Sequence, residues 1–156
     1  MNVGIIVHSH TGNTLSVAQN LKQTLSSAGH AVSIERVSAL NDEEADVQKI
    51  KLNEIPDVGL YDVLLFGAPV RGFSLSPVMQ AYLAGIQSLG GKKTACFVTQ
   101  FFPFAWMGGQ RALRQMCDIC KNKGASLYGT GIVNWSRAKA REKQIEAMAG
   151  KLCVFN

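Results

Sequence analysis

Small hydroxyl side chains gather around a glycine directly after the first apolar run of the chain. The run Val3–Val7 is followed by Ser9, His10, Thr11, Gly12, Asn13 and Thr14, and a helical pattern then begins. Backbone N–H groups at a helix N-terminus, with the positive end of the helix dipole, suit a phosphate dianion. The hydroxyls add hydrogen-bond donors, and Gly12 permits a close approach because it has no Cβ. The segment predicts a phosphate-binding loop, with a simple helix cap as the alternative.

Two sequence motifs that the chain lacks limit which phosphate compounds this loop is expected to bind. It has no G-x-x-x-x-G-K-[ST] segment for a nucleoside triphosphate, and no G-x-G-x-x-G follows the first strand for a dinucleotide. A ligand with one phosphate, such as a mononucleotide, is therefore the better fit.

Two later segments are unusual for surface loops. The first is Gly67–Ser74, which contains Pro69, Val70, Arg71, Gly72 and Phe73. The second is Thr99–Gln110, whose aromatic residues are Phe101, Phe102, Phe104 and Trp106. Aromatic side chains normally belong in a core, so their concentration here indicates a lid or a platform for a planar ring. A self-packed loop or a protein interface is the alternative.

Apolar runs and helical patterns alternate along the whole chain. The runs predict five strands, at Val3–Val7, Ala31–Val37, Val63–Gly67, Thr94–Thr99 and Ser126–Val133. The helical patterns cover Asn13–Ala28, Ser76–Leu89, Gly109–Lys123 and Arg137–Leu152. Between the second and third strands, Asn41–Leu52 is expected to form a short helix and Asn53–Leu60 a loop. This order predicts one three-layer α/β domain, residues 1–156, with a doubly wound parallel sheet and ligands at the carboxyl ends of its strands.

The segment Ser9–Thr14 matches the motif S/T-x-T-G-x-T, and the chain resembles the flavodoxin family over essentially its full length. The resemblance implies a five-stranded parallel sheet of order 2-1-3-4-5 and FMN as the cofactor. Ser9, His10, Thr11, Gly12, Asn13 and Thr14 would hold the phosphate, and Pro69, Val70, Arg71, Gly72 and Phe73 would border one side of the flavin ring. The other side would be bordered by Gln100, Phe101, Phe102, Phe104, Trp106, Gly108, Gly109 and Gln110. No catalytic side chain and no metal ligand is assigned.

A second, looser resemblance is to the flavodoxin-like NAD(P)H:quinone oxidoreductases. It rests on Ala68–Phe73, Ser76–Met79 and Gly108–Gln110, although those enzymes usually carry insertions that this chain lacks. Electron-transfer flavodoxins are acidic around the flavin, whereas neither aromatic loop contains Asp or Glu, and Arg71 and Arg111 lie there. Because a nearby cation stabilises a reduced, anionic flavin, this difference predicts a less negative potential for the second electron.

Three functional classes are compatible with these residues. The first is an electron carrier with a protein partner, and the second is an NAD(P)H-dependent quinone or flavin oxidoreductase that uses Arg71 or Arg111 for a phosphate. The third is a ligand-binding or regulatory module without redox turnover. Residues 1–62 hold 4 Lys or Arg and 8 Asp or Glu, whereas residues 63–156 hold 12 and 3. The basic half favours an acidic redox partner, and its spread over several elements gives no nucleic-acid-binding motif.

The cysteines are expected to be reduced and structural. Cys96, Cys117, Cys120 and Cys153 form no dense disulfide framework, which suits a reducing compartment. Cys117 and Cys120 have C-x-x-C spacing, but they lie inside a predicted helix and are expected to serve its packing. The sequence contains neither an apolar run of about 20 residues nor a signal-peptide pattern. A cytoplasmic protein without a membrane partner is therefore expected.

The three histidines are expected to act separately. His10 lies in the predicted phosphate loop and is expected to reach the phosphate, whereas His8 and His30 are interpreted as structural. Their positions in the sequence give no sign of a cluster.

Overall fold

The computed structural model describes residues 1–101 and 108–155. The strands are β1 (Asn2–Val7), β2 (Ala31–Arg36), β3 (Val63–Arg71), β4 (Ser74–Leu75), β5 (Lys93–Gln100) and β6 (Ser126–Asn134). The helices are α1 (Asn13–Ser27), α2 (Pro77–Ala84), α3 (Gly109–Asn122) and α4 (Ala138–Leu152). Within the described ranges, no helix is long and apolar enough to cross a membrane.

Five strands form one sheet in the order β2-β1-β3-β5-β6, and all of their pairings are parallel. The short strand β4 pairs antiparallel with the end of β3. With β4 set aside, the order is the predicted 2-1-3-4-5, so the fold class is confirmed. The continuous apolar runs of the central strands follow from this arrangement, because helices cover the sheet on both faces.

Each face of the sheet has its own hydrophobic core. One core packs apolar residues of α1, including Leu21 and Leu25, and of α4, including Leu152, against the sheet. The other packs residues of α2 and α3, including Met79 and Met116, against the opposite face. These two cores give the predicted three layers and fix where each helix begins relative to the strand before it.

One departure from the predicted elements is at the end of β3. This strand extends to Arg71, four residues beyond the predicted end at Gly67. The chain folds back after Arg71, so that Val70 pairs with Leu75 and Arg71 pairs with Ser74. The segment Pro69–Arg71 is therefore part of a hairpin rather than a free loop, which gives its side chains fixed positions.

Two predicted helices also differ from the structure. Helix α2 begins as expected, with Pro77 in its first turn and Ser76 Oγ accepting a hydrogen bond from Met79 N, but it ends at Ala84 instead of Leu89. Leu89 N instead donates to Lys123 O, which attaches this segment to the end of α3.

The predicted helix over 41–52 is wrong, because the segment contains a single 3₁₀ turn at Val47–Lys49 and otherwise irregular backbone.

Candidate functional site

A cavity of about 210 Å³ lies where β1, β3 and β5 end. It is lined by His10, Thr11, Asn13, Pro69, Val70, Arg71, Thr99, Gln100 and Phe101. The fold thus brings together residues from all three segments that the sequence singled out. This edge of the sheet is also where parallel α/β folds place their ligands.

The loop after β1 presents the start of α1 to this cavity. Gly12 caps the helix in a left-handed conformation (φ 90°), and its carbonyl accepts the hydrogen bond from Ser16 N at 2.9 Å. The first N–H groups of a helix have no partner within the helix, and Gly12 has no side chain that could bond to them. His10, Thr11 and Gly12 are exposed, so this backbone and the Thr11 hydroxyl can contact an anion.

The hydroxyl groups of Ser9 and Thr14 stabilise the loop after β1 through hydrogen bonds within the protein. Both residues are buried. Ser9 Oγ accepts a hydrogen bond from Leu15 N at 3.3 Å, and Thr14 Oγ1 lies 2.8 Å from Thr99 Oγ1 at the end of β5. Of the three hydroxyls that the sequence offers as donors, Thr11 is the exposed one.

The hairpin between β3 and β4 forms the opposite wall. Its two turn residues, Gly72 and Phe73, both have positive φ, at 57° and 61°. This is the pattern of a type I′ turn, and it costs a non-glycine residue about 1–2 kcal/mol. Phe73 nevertheless occupies the turn, with 53 % of its surface exposed.

Gly108 and Gly109 allow α3 to start close to this hairpin. A Cβ on Gly108 would lie 2.8 Å from Phe73 Cα and 2.9 Å from Val70 Cγ1. A Cβ on Gly109 would lie 2.3 Å from Gln100 Oε1. Close packing at the start of α3 therefore explains why these two positions are glycine, independently of the protein's function.

The other residues predicted for the aromatic loop have different positions. Phe101 lines the cavity and is 71 % exposed, whereas Gln110 is an exposed residue in the first turn of α3. Phe102, Phe104 and Trp106 lie outside the described residues.

Sequence reasoning missed a histidine–carboxylate cluster beside the cavity. Asp42, from the connection between β2 and β3, lies 2.8 Å from His8 Nε2 through Oδ1 and 3.0 Å from His10 Nδ1 through Oδ2. Glu43 lies 3.3 Å from His10 Nε2. The expectation that the histidines do not cluster is therefore wrong for His8 and His10. His30 packs apart from them, against the ring of Phe155.

His8 is buried and held on both ring nitrogens. Burial lowers its pKa, although the hydrogen bond to Asp42 opposes that change. A neutral imidazole then donates from Nε2 to Asp42, and Nδ1 accepts from the Ser76 hydroxyl at 2.9 Å. Partial burial would raise the pKa of Asp42, but hydrogen bonds from His10 and His8 outweigh it and hold that pKa below its usual value.

Arg71 is tied to the same acidic segment. Its Nη1 donates to the backbone oxygen of Asp42 at 2.7 Å, and its Nη2 lies 3.3 Å from Glu43 Oε2. A carboxylate from outside the two aromatic loops, that of Glu43, therefore offsets the charge of Arg71. The prediction of a less negative flavin potential relied on Arg71 and Arg111; Arg71 is paired with Glu43, and Arg111 is not among the described residues that line the cavity.

These features fit a mononucleotide with a planar head. The start of α1, with its glycine cap and exposed Thr11, suits one phosphate group. The hairpin wall and Phe101 suit the two sides of a flat ring. The fold and this site together define an α/β protein that binds a phosphate-bearing ligand at the carboxyl ends of its strands.

Comparisons with known proteins agree with this description. The flavodoxin family model matches residues 5–148, and the chain belongs to the flavodoxin family. The flavodoxin of Megasphaera elsdenii is 27% identical over 157 residues, which cover 96% of this chain and 98% of that protein. The protein is thus an FMN-binding, flavodoxin-like protein.

Two solved structures show the same fold at lower identity. The flavodoxin of Streptococcus pneumoniae superposes with a TM-score of 0.69 at 16% identity, covering 97% of each chain. An oxidised flavodoxin of Bacillus cereus superposes with a TM-score of 0.68 at 15% identity, covering 100% of each chain.

Proposed function

We propose that this protein is an electron carrier, which exchanges electrons with protein partners through non-covalently bound FMN. The observation that carries the proposal is the form of the cavity, which has the exposed ring of Phe101 in its wall and the exposed Phe73 on the adjacent hairpin. Exposed apolar side chains around a redox group suit brief contact with another protein. FMN supplies the redox chemistry, and the protein positions it and sets its surroundings.

We assign the FMN phosphate to the start of α1. The backbone of residues 9–14 and the Thr11 hydroxyl would hold it, with Ser9 and Thr14 keeping the loop in place. We assign the flavin ring to the space between Pro69–Phe73 on one side and Gln100–Phe101, with Gly108 and Gly109 behind them, on the other.

The strained turn at Phe73 supports a role for that side chain. A glycine at this position would adopt φ 61° without strain, yet the chain carries a large aromatic residue there. Strain of this kind persists where the residue is useful, often at a binding site. An aromatic contact to the flavin ring or to a docked partner is consistent with that use.

The reductase alternative is less favoured by the charges near Arg71. A nicotinamide cofactor needs cations for its phosphates, and among the described residues that line the cavity Arg71 is the one Lys or Arg. Arg71 is paired with Glu43, and the second cavity on its other side, of about 320 Å³, is lined by both Glu43 and Glu44. Carboxylates beside the cation weaken phosphate binding.

We further propose that an acidic partner docks on the α3 and α4 side of the cavity. Arg111 and Arg114 are exposed near the start of α3, and Arg137 and Lys139 are exposed at the start of α4. In a parallel α/β fold these helix starts lie at the ligand-binding edge of the sheet. Asp42 and Glu43, the acidic residues near the site, instead contact His10 and Arg71 in the cavity wall.

Stopped-flow mixing with a reduced, acidic ferredoxin tests this proposal. FMN-loaded protein should be reduced rapidly, and the rate should fall as the salt concentration rises. The double variant Arg111→Glu, Arg114→Glu should slow the reaction about tenfold at low salt. Lys121→Glu, at the far end of the same helix, is the matched control and should leave the rate unchanged. Absence of transfer would overturn the carrier assignment, whereas fast transfer insensitive to salt and to the double variant would overturn the docking surface alone.

A further inference from the structure

A cavity of about 510 Å³, which we call the distal cavity, lies at the edge of the sheet opposite the flavin cavity. One wall comes from residues 52–59, which lead into β3, and the other from the end of α2 and residues 85–88. Of the described residues, none that lines the distal cavity also lines the flavin cavity. Its volume lies in the range typical of sites for small organic molecules, so it is a candidate second binding site.

The walls of the distal cavity are mostly apolar. The apolar side chains that line it are Leu52, Ile55, Pro56, Val58, Tyr82 and Ile86. Ile55 is 63 % exposed in the empty cavity wall. Because covering apolar surface is favourable, these walls suit the apolar body of a ligand.

Two hydrogen bonds fix the walls of the distal cavity. Tyr82 Oη donates to Pro56 O at 2.6 Å, which joins α2 to the segment before β3. Asp57 Oδ1 accepts from Gly59 N at 2.8 Å and caps the 3₁₀ turn Val58–Leu60. A cavity that is formed in advance costs a ligand less ordering of the protein on binding.

The charge at the distal cavity is negative. Asp57 is the one Asp, Glu, Lys or Arg among the described residues that line it, and none of the described residues makes a hydrogen bond to its Oδ2. Burial and the negative charges of Glu35 and Asp57 raise the pKa of Tyr82 in the cavity wall. Lys92 does not line the cavity, and its Nζ is bonded to Val58 O at 2.8 Å. The distal cavity therefore favours a cation.

The end of α2 acts in the same direction. Gly85, the C-cap residue of this helix, lines the distal cavity. The last carbonyl groups of a helix lack partners within it and carry partial negative charge. This helix end already accepts one ammonium group from the chain itself, because Lys123 Nζ donates to Ala84 O at 3.0 Å.

We propose that the distal cavity binds a small organic amine, with its aryl or alkyl body against the apolar walls and its ammonium group at the Asp57 carboxylate. An anionic ligand of the same shape would be repelled by Asp57. A neutral ligand would bury the apolar walls but would leave the carboxylate without a cation.

NMR titration of the FMN-loaded protein with 2-phenylethylamine tests this proposal. The amide resonances of Gly59 and Gly85 should shift and saturate, and the visible flavin spectrum should stay unchanged. 2-Phenylethanol has the same body without the charge and should bind about fivefold more weakly, and 3-phenylpropionate should bind more weakly still. Absence of shifts at these residues up to about 10 mM amine, or equal binding of the amine and the alcohol, would overturn the proposal.

Substitution of Asp57 tests the role of its charge. Asp57→Asn keeps an oxygen that can cap the 3₁₀ turn, and it should weaken amine binding about fivefold while leaving the binding of the alcohol unchanged. Asp46→Asn is the matched control, because Asp46 caps the other 3₁₀ turn through Gln48 N and does not line the cavity. Unchanged amine binding in Asp57→Asn would contradict the assignment of the ammonium group.

A second pair of variants tests the apolar wall. Ile55→Ala should weaken the binding of the amine and of the alcohol alike, by about threefold, because it removes apolar contact without a change in charge. Leu60→Ala is the matched control, since Leu60 is 64 % exposed on the same connection and does not line the cavity. Equal effects of the two substitutions would show that the amine binds outside the distal cavity.

Discussion

His8 Nε2 and Asp42 Oδ1 lie 2.8 Å apart, and this bond ties the end of β1 to the connection between β2 and β3. His8 also contacts Ser76, which caps α2, so one buried ring links three parts of the chain. The second Asp42 oxygen contacts His10, which lines the cavity. The Asp42 carboxylate thereby connects the buried His8 to the exposed His10 in the cavity wall.

Loss of the Asp42 carboxylate should destabilise the protein. Asp42→Ala leaves the buried His8 Nε2–H without its acceptor, which should lower the free energy of unfolding by about 1–3 kcal/mol. Asp42→Asn retains an acceptor oxygen and should lose clearly less. Urea unfolding of both variants measures the difference. Equal losses would show that the hydrogen bond to His8 has little weight.

Stability should also fall on mild acidification. Because the folded pKa of His8 is below its ordinary value of 6.5, the unfolded chain binds more protons between those two values. The free energy of unfolding should therefore decrease as the pH falls below 6.5 toward the folded pKa, by at most about 1.4 kcal/mol per pH unit. The lowered pKa of Asp42 adds a loss in the same direction below 3.8.

Urea midpoints between about pH 7.5 and pH 5 measure this dependence. His8→Gln removes the titrating ring and should show a shallower decline over the same interval. A decline as steep in His8→Gln as in the unmodified chain would assign the effect to other groups.

Thr11 should contribute to FMN binding through the phosphate alone. Thr11→Val keeps the size of the side chain and removes the exposed hydroxyl, which should weaken FMN binding about tenfold to a hundredfold. Riboflavin lacks the phosphate, so its dissociation constant should stay nearly unchanged. Fluorescence titration with both flavins gives the comparison. If the substitution weakened the binding of FMN and riboflavin equally, the assignment of the phosphate to Thr11 would be wrong.

Gly108 should not tolerate a side chain. Gly108→Ala places a Cβ 2.8 Å from Phe73 Cα at φ 111°, so the hairpin must shift, and we expect a loss of about 1–3 kcal/mol with weaker FMN binding. Gly150→Ala is the matched control, because Gly150 lies in α4 with open space around it. That substitution should stabilise the protein by up to about 1 kcal/mol. Thermal unfolding of the two variants should shift in opposite directions.

The sheet could be predicted from sequence because local patterns encode it. The buried runs that include Val3–Val7 and Val63–Gly67 are apolar throughout, as strands covered on both faces must be. The loop to which we assign the phosphate could be singled out for a similar reason, since Gly12 and its hydroxyl neighbours are adjacent in the chain. The hairpin after β3 was missed because Gly72-Phe73 is not a usual pair for a type I′ turn.

The position of Asp42 beside His8 could not be predicted from local sequence patterns. Asp42 reaches His8 across 34 positions, through a connection without periodic apolar residues. The path of that connection depends on the bridge between Ala39 and Leu52 and on the two hydrogen bonds that the Asn41 amide makes with Lys49 and Lys51. Asp46 before the 3₁₀ turn was a local signal for a cap, but nothing local indicates where Asp42 lies.

Anaerobic addition of one equivalent of NADPH to the FMN-loaded protein tests the carrier assignment most directly. The visible flavin bands should stay oxidised over minutes, and a subsequent addition of reduced ferredoxin should bleach them at once. Rapid bleaching by NADPH, with renewed turnover when a quinone is added, would contradict the account and establish the reductase instead.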